Sequence, residues 1–240
     1  MKRYGLVGHP VSHSASPALH NWGFARHGLA AVYEAWDVSP ENLPDWVRAM
    51  RAEPLRGASV TIPHKEAVIP LLDGLAPAAR RAGAVNTLFW QDGALLGENT
   101  DVLGCARVLE GLSPGAALIL GAGGVARAIL AGLEQAGLRD VTVAARSPDR
   151  AAPLVRDFGC RLVPWEERTA VLAALCRGLV VNATPLGMRG PWQEQSPLAP
   201  DHWPATGGCA ACDTVYAPPE TLFLRQARAR GWRAVDGMAF

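Results

Sequence analysis

Lysine is almost absent from this sequence: Lys2 and Lys65 are its only lysines, although lysine and arginine together number 23 among 240 residues. Lysine can give up its proton in a suitable environment, whereas arginine effectively cannot. The internal lysine, Lys65, is therefore a candidate for proton transfer. The alternative interpretation is a solvated lysine at the start of a helix.

Long apolar runs and an excess of either charge are also lacking. The formal net charge is +1 at pH 7, which favours neither nucleic acid nor an anionic membrane as a partner. No apolar run approaches the length of a membrane span, and residues 1–8 lack the apolar region of a secretory signal. We therefore expect a cytoplasmic protein. With 49% hydrophobic residues, the chain can bury one large core or two modest ones.

A cysteine framework is lacking as well. The cysteines number five, an odd count, and they are scattered through apolar surroundings, which argues against a set of disulfides. Cys209 and Cys212 form a C-x-x-C without a second ligand pair, so we expect buried strand thiols there. At His9, His13 and His20 we expect hydrogen-bonded side chains and no metal site.

A glycine-rich turn interrupts an apolar run near the middle of the chain. The run over residues 116–120 ends at Gly121, and an apolar pattern of helical period resumes at Val125, which predicts strand, tight turn and helix. Gly121, Gly123 and Ala126 form a G-x-G-x-x-A pattern, in which backbone N–H groups and the helix dipole would hold a pyrophosphate. The predicted cofactor-binding residues of this turn are Gly121, Ala122, Gly123, Gly124, Val125 and Ala126. A purely structural turn is the alternative.

The next predicted strand, residues 141–145, is followed by arginines. An NAD site usually carries an acidic residue at this place, for the ribose 2′-hydroxyl. Arg146, Ser147 and Arg150 stand there instead, and their donors suit a 2′-phosphate. The cofactor is therefore predicted to be NADP; two solvated arginines at the start of a helix are the alternative.

Hydroxyl side chains surround the start of the first predicted helix. A strand over residues 4–7 leads into a loop with Ser14 and Ser16, and Ser16 followed by Pro17 predicts an N-cap and first helical residue. Such a helix start can hold a small carboxylate. Alternatively, the serines only cap the helix and fix the loop.

Further elements are predicted on both sides of the glycine turn. We expect a strand over residues 30–36, a helix over 40–50, a strand that delivers Thr61 and Lys65 to one region, a hairpin over 84–96 and a helix that begins near Asp101. Downstream we expect a strand over 179–181, a loop over 182–188, a strand over 213–216 and a helix over 220–230. The Pro- and Gly-rich residues 192–208 predict a mobile surface loop.

Six short runs occur in an order that matches a known family. They are G-H-P-V-S-H-S-A-S-P-A-L-H-N from Gly8, S-V-T-I-P-H-K ending at Lys65, A-V-N-T-L from Ala84, E-N-T-D from Glu98, V-N-A-T-P-L-G-M from Val181 and D-T-V-Y-A-P-P-E-T from Asp213. With the glycine pattern they extend from Gly8 to Thr221, and the sequence resembles the shikimate dehydrogenase family.

The resemblance implies an α/β protein of two domains. Residues 1–103 would form a substrate-binding catalytic domain and residues 104–236 a doubly wound, Rossmann-type NADP-binding domain, with the active site in the cleft between them and a short return segment at 237–240. It implies reversible reduction of 3-dehydroshikimate to shikimate by NADPH, in the biosynthesis of chorismate and aromatic amino acids. The partner would be a small-molecule substrate, and the protein a monomer or homodimer.

The resemblance also assigns roles to individual residues. Ser14 and Ser16 would hold the substrate carboxylate, helped by Tyr216. Thr61, Asn86 and Asp101 would bind ring hydroxyls, while Lys65 and Asp101 would handle the proton at C3. Cofactor contacts beyond the glycine turn would come from Arg146, Ser147, Arg150, Thr184, Met188, Val215 and Gly237.

Three departures from the family pattern leave alternatives open. Ala145 and Ser147 stand for an asparagine and a threonine, which would weaken adenosine-ribose binding, and Ser59 stands for an asparagine near the substrate pocket. The family continues beyond Phe240 through a glutamine that contacts substrate and helices that cover the first domain, so we expect both to be missing. A quinate/shikimate dehydrogenase of broader specificity, or a non-catalytic NADP- or metabolite-binding paralogue, is the alternative; the intact Lys65 and Asp101 favour catalysis.

Overall fold

The computed structural model describes residues 1–12, 14–52, 55–175, 177–204 and 210–239. The chain divides into two compact units, Met1–Thr100 and Asp101–Phe240. The boundary predicted after residue 103 falls slightly further along the same helix. His13, Cys176 and Cys209 lie outside the described residues.

The first unit contains a mixed sheet. Its strands are β1 (Lys2–Gly8), β2 (Ala31–Asp37), β3 (Leu55–Val60), β4 (Gly74–Leu75), β5 (Thr87–Gln91) and β6 (Ala94–Glu98). They lie in the order β2-β1-β3-β5-β6-β4. β1 runs parallel to β2 and β3, whereas the β5–β6 hairpin is antiparallel and is turned by Asp92 and Gly93, both at positive φ.

Helices connect these strands and cover the sheet. They are α1 (Ser16–Arg26), α2 (Leu43–Ala52), α3 (His64–Ala67) and α4 (Pro77–Ala82). The next helix, α5 (Thr100–Leu109), begins at the last residue of this unit but packs in the second, where Cys105 and Leu109 belong to the core. α2 buries Leu43, Val47 and Met50 in a core that includes Val7 and Leu88 of the sheet. α1 buries none of its residues completely.

The second unit is a parallel sheet with helices between its strands. Its strands are β7 (Ala117–Leu120), β8 (Val141–Ala145), β9 (Arg161–Pro164), β10 (Leu179–Asn182), β11 (Ala210–Asp213) and β12 (Arg233–Val235). The helices are α6 (Gly124–Gln135), α7 (Pro148–Phe158), α8 (Arg168–Ala174) and α9 (Leu222–Ala229). The strand order β12-β11-β10-β7-β8-β9 is that of a doubly wound nucleotide-binding sheet, as expected from the sequence.

Alternate residues of β7 enter two different cores. Ile119 packs with Ile129 of α6 on one face, whereas Leu118 and Leu120 pack with Phe223 of α9 on the other. Burial on both faces explains why β7 reads as a continuous apolar run.

Two sequence predictions for this unit are wrong. In the segment predicted as a mobile surface loop, Leu198 and Trp203 are buried, at 1% and 2% exposure, in the core that also holds Phe223 of α9. The Trp203 ring lies tilted against the Phe223 ring. The strand predicted over 213–216 instead ends at Asp213, since the Val215 N–H turns back to the Asp213 side chain.

Among the described residues, no helix has both the length and the apolar character needed to cross a membrane.

Candidate active site

Thr61, Lys65 and Asn86 come together in the first unit, beyond the end of β3. The Thr61 N–H donates to Val7, and the Thr61 carbonyl accepts from the N–H of His64, which starts α3. The Lys65 carbonyl accepts from Val85 at 2.7 Å, and the Asn86 carbonyl accepts from Val60 at 2.7 Å. These backbone bonds hold the three residues beside the end of β3. All three residues are half-buried.

Gly8 lets the loop after β1 lie directly on Thr61. A side-chain carbon at Gly8 would be 2.3 Å from Thr61 Cγ2 and 2.7 Å from Val11 Cγ1. The same loop leads to Ser14, whose N–H donates to the Val11 carbonyl. The loop can therefore approach Thr61 this closely only because residue 8 is a glycine.

The hydroxyls of Ser14 and Ser16 lie at the N-terminus of α1. Ser14 Oγ accepts from the Ser16 N–H and donates to Ser16 Oγ, both at 3.2 Å. The predicted cap is wrong by one residue: the cap position is Ala15, because Ser16 already has helical backbone and Ser14 supplies the local bond. Ala15 has no side-chain acceptor to cap this helix and the first turn carries no acid, so the helix dipole favours a negative group there.

Asn86 fixes the start of the helix that carries Asp101. Its Oδ1 accepts from the Thr100 N–H at 2.9 Å, and its Nδ2 donates to Thr100 Oγ1 at 2.9 Å. Thr87 Oγ1 donates to the same Oδ1. Asn86 is thus a positioning residue in addition to its predicted role in binding substrate.

Two further polar residues of this unit were not given roles by the sequence. His64 is fully buried, and its Nε2 donates to the Val38 carbonyl at 2.7 Å, which anchors α3 next to Lys65. The Tyr33 hydroxyl donates to Ser59 Oγ at 2.7 Å, so the shorter residue at 59 is held by a side chain of β2, across β1. Sequence reasoning missed His64 because only the structure shows that this residue, next to the candidate Lys65, is buried.

The glycine turn of the second unit connects β7 to α6 as predicted. Gly121 has φ +111°, and a side-chain carbon there would lie 2.9 Å from the Ala183 carbonyl oxygen, just beyond β10. β7 and β10 flank the point where the strand order reverses, which is where doubly wound sheets bind their ligands.

The turn fits the pyrophosphate of a dinucleotide. A side-chain carbon at Gly123 would meet no atom within 4 Å, so open space lies beside this backbone. Gly123 is the cap position of α6 and has no side chain to bond the first N–H groups of that helix. N–H groups at a helix start beside open space suit an anion.

Arg146, Ser147 and Arg150 are exposed where β8 passes into α7. Ser147 is the cap position of that helix. Within the described residues neither arginine has an acidic partner, so both guanidiniums are available to a phosphate. The sequence interpretation overlooked Asp149, which lies exposed in the first turn of α7.

A buried carboxylate links the loops that follow β10 and β11. Asp213 Oδ1 accepts from Asn182 Nδ2 at 3.0 Å and from the Val215 N–H at 2.9 Å, and Oδ2 accepts from Thr221 Oγ1 at 2.6 Å. Burial raises the pKa of Asp213 from its ordinary 3.8 to about 6, although the three donors act to lower it. The sequence interpretation missed this group. The sequence signal for it is that the buried strands β10 and β11 each end in a polar residue, Asn182 and Asp213.

Four of the predicted cofactor residues lie on segments linked to this carboxylate. Thr184 donates through its N–H and hydroxyl to Asn182 Oδ1, at 3.0 and 2.6 Å. The loop of Met188 is tied to the loop of Tyr216 by a 2.8 Å bond from the Arg189 N–H to the Ala217 carbonyl. A side-chain carbon at Gly237 would lie 2.6 Å from the backbone of Val215. Thr184, Met188, Val215 and Gly237 thus belong to connected segments.

The described residues indicate neither a reactive thiol nor a metal site. Burial raises the pKa of Cys105 and of Cys212 to about 12, so neither thiol ionises near neutral pH. The described ranges contain no group of three His, Cys, Asp or Glu residues that could hold a metal ion.

Comparison with known proteins identifies the family. The family model "Shikimate dehydrogenase substrate binding domain" matches residues 6–88, and "Shikimate / quinate 5-dehydrogenase" matches residues 105–183. A protein of Oleidesulfovibrio alaskensis named shikimate dehydrogenase (NADP(+)) is 51% identical over 237 residues, which cover 98% of this chain and 84% of that protein. The chain belongs to the shikimate dehydrogenase family.

Solved structures of shikimate dehydrogenases share its fold. The shikimate 5-dehydrogenase of Thermus thermophilus, in complex with NADP(H) and shikimate, is 42% identical with a TM-score of 0.85, and the match covers 100% of this chain and 88% of that one. The quinate dehydrogenase of Corynebacterium glutamicum, in complex with NAD, is 31% identical with a TM-score of 0.86 and 99% and 88% coverage. The fold class predicted from the sequence is confirmed.

Proposed function

We propose that this chain catalyses the reversible, NADPH-dependent reduction of 3-dehydroshikimate to shikimate. The observation that carries the proposal is the 51% identity to an NADP-dependent shikimate dehydrogenase over nearly the whole chain. The predicted substrate residues of the first unit and the glycine turn of the second support it independently.

Proton transfer at the C3 oxygen is assigned to Lys65, with Asp101 as the accompanying carboxylate. Oxidation of the C3 hydroxyl removes a proton from its oxygen, and reduction of the ketone returns one. An ammonium group can donate that proton, and the neutral amine can accept it in the reverse direction. The bonds from Val85 to the Lys65 carbonyl and from His64 to Val38 support this role, because they fix the backbone that carries the amine.

Substrate binding is assigned to hydroxyl and amide side chains. Ser14 and Ser16, at the start of α1, would receive the carboxylate, with Tyr216 as a further donor. Thr61 and Asn86 would bind ring hydroxyls.

Cofactor binding is assigned to the second unit, whose residues 104–236 we propose as the NADP domain; residues 1–103 are the proposed substrate domain. When bound, the cofactor supplies or accepts the hydride. Residues 121–126 would hold the pyrophosphate, and Arg146, Ser147 and Arg150 the 2′-phosphate. Thr184, Met188, Val215 and Gly237 would surround the nicotinamide end.

The test measures absorbance of reduced nicotinamide while the protein is mixed with shikimate or quinate and with NADP or NAD. Rapid reduction with shikimate and NADP is expected. No reduction in any mixture, despite NADPH binding, would overturn the proposal in favour of a binding protein. Faster reduction with quinate would assign the broader quinate/shikimate specificity instead. The cytoplasmic location and the monomeric or homodimeric state stay predictions, which cell fractionation and light scattering measure.

A further inference from the structure

Asp213 is fully buried, and every described contact of its carboxylate is with the protein itself. Its exposure is 0%, and its two oxygens receive three donors, from Asn182, Val215 and Thr221. Burial of a carboxylate costs free energy because the group loses its contacts with water. The three hydrogen bonds to Asp213 offset this cost. Because the residue is fully buried, its carboxylate is not accessible to a ligand in this arrangement.

The first donor, Asn182, shapes the loop over residues 183–188. Its Oδ1 accepts both donors of Thr184, while its Nδ2 donates to the Leu186 carbonyl at 2.9 Å as well as to Asp213. The loop therefore curls around the Asn182 amide, and Asp213 fixes the orientation of that amide. An amide turned by half a rotation would present Nδ2 to the Thr184 donors.

The other donors hold the loop over residues 214–221. The Val215 N–H bonds Asp213 directly, and the backbone of Val215 receives the close approach of Gly237. Thr221 Oγ1 donates to Asp213 and accepts from the Leu224 N–H, which caps α9. A side-chain carbon at Gly187 would be 3.0 Å from Thr221 Cβ, so the two loops touch at Thr221.

We propose that Asp213 is a positioning residue for the nicotinamide end of the cofactor: it holds the loops 183–188 and 214–221 in the arrangement that receives this group. The inference rests on the proposed function, because the ligand of these loops is the proposed cofactor. Asp213 acts through Asn182, Val215 and Thr221 and touches neither substrate nor cofactor.

The test compares NADPH affinity among variants at Thr221, measured by titration of cofactor fluorescence. Thr221→Val removes the donor to Asp213, and Thr221→Ser keeps it. We expect Thr221→Val to weaken NADPH binding about tenfold, which is the effect of one lost hydrogen bond to a charged group. Thr221→Ser should bind NADPH with the wild-type affinity, because it keeps that hydrogen bond. Asp213→Asn, which changes the acceptor but not the shape, is expected to weaken NADPH binding likewise.

Phe223→Leu is the matched control, because Phe223 is buried in the same helix, α9, and no described contact links it to Asp213. It should lower thermal stability while NADPH affinity stays at the wild-type value. In steady-state assays the Thr221→Val variant should raise KM for NADP and leave KM for shikimate unchanged.

Wild-type NADPH affinity in both Thr221→Val and Asp213→Asn would overturn the proposal. An equal loss of affinity in Phe223→Leu would also overturn it, since the effect would then follow stability alone. The fluorescence titration needs no turnover, so a wild-type protein that binds NADPH without oxidising shikimate contradicts the proposed function but leaves the role of Asp213 testable.

Discussion

Gly121 packs its bare backbone against Ala183, so that a side-chain carbon at Gly121 would lie 2.9 Å from the Ala183 carbonyl oxygen. Gly121 follows β7 and Ala183 follows β10, the strands on either side of the reversal in strand order. Gly123, two residues on, faces open space. The two glycines of the fingerprint therefore serve different purposes.

Alanine at these two glycines should separate stability from cofactor binding. Gly121→Ala forces a residue to φ +111° and into Ala183, and should destabilise the protein by about 2 kcal/mol. Gly123→Ala, at φ −88°, should leave stability unchanged or raise it by up to about 1 kcal/mol, yet weaken NADPH binding about tenfold or more. Urea unfolding and fluorescence titration measure the two effects. Unchanged NADPH affinity in Gly123→Ala would contradict this assignment of the pyrophosphate site.

Removal of an arginine after β8 should change cofactor selectivity. Arg146→Ala and Arg150→Ala should each raise KM for NADP about tenfold, because a guanidinium hydrogen bond to a phosphate is lost, and leave KM for NAD unchanged. Arg156→Ala is the control, since Arg156 lies further along α7 and pairs with Asp157. An equal rise for NAD and NADP would mean that these arginines do not contact a 2′-phosphate.

The buried carboxyl of Asp213 should make stability depend on pH. Its folded-state pKa of about 6 is above the ordinary 3.8, so the folded protein binds an extra proton between these values. This contribution to the free energy of unfolding is present at low pH and lost as pH rises through about 6, by on the order of 3 kcal/mol.

Asp213→Asn has no proton to lose, so it isolates this effect from other carboxyls. The wild-type stability minus that of Asp213→Asn should fall between about pH 4 and pH 7 and then stay constant. Denaturant unfolding of both proteins across that range supplies the measurement. A difference that rises with pH would show that the hydrogen bonds to Asp213 outweigh its burial.

The sequence predicted the elements that local patterns determine. The strand, turn and helix around Gly121 and the strand over Val141–Ala145 follow from apolar runs and glycine spacing, and the structure confirms them. The fingerprint required only neighbouring residues, because a tight turn and the helix after it are specified locally.

The sequence could not predict what depends on distant contacts. Trp203 is buried by Phe223 and Trp232, which lie in α9 and before β12, so composition alone made its segment look like a surface loop. The hydrogen bond between Asn182 and Asp213 joins residues that are 31 positions apart in the sequence. It could be predicted only with the knowledge that β10 and β11 pair. Ser16 failed as a cap because the serine two residues earlier made the bond.

The rate of shikimate oxidation by NADP in Lys65→Met and Lys2→Met variants tests the central claim most directly. Both substitutions remove a lysine, but Lys2 lies exposed at the start of β1. We expect kcat to fall by about 100- to 10,000-fold in Lys65→Met, with NADPH affinity retained, and to stay at the wild-type value in Lys2→Met. Near-normal turnover in Lys65→Met would contradict proton transfer by Lys65 and, with it, the proposed mechanism.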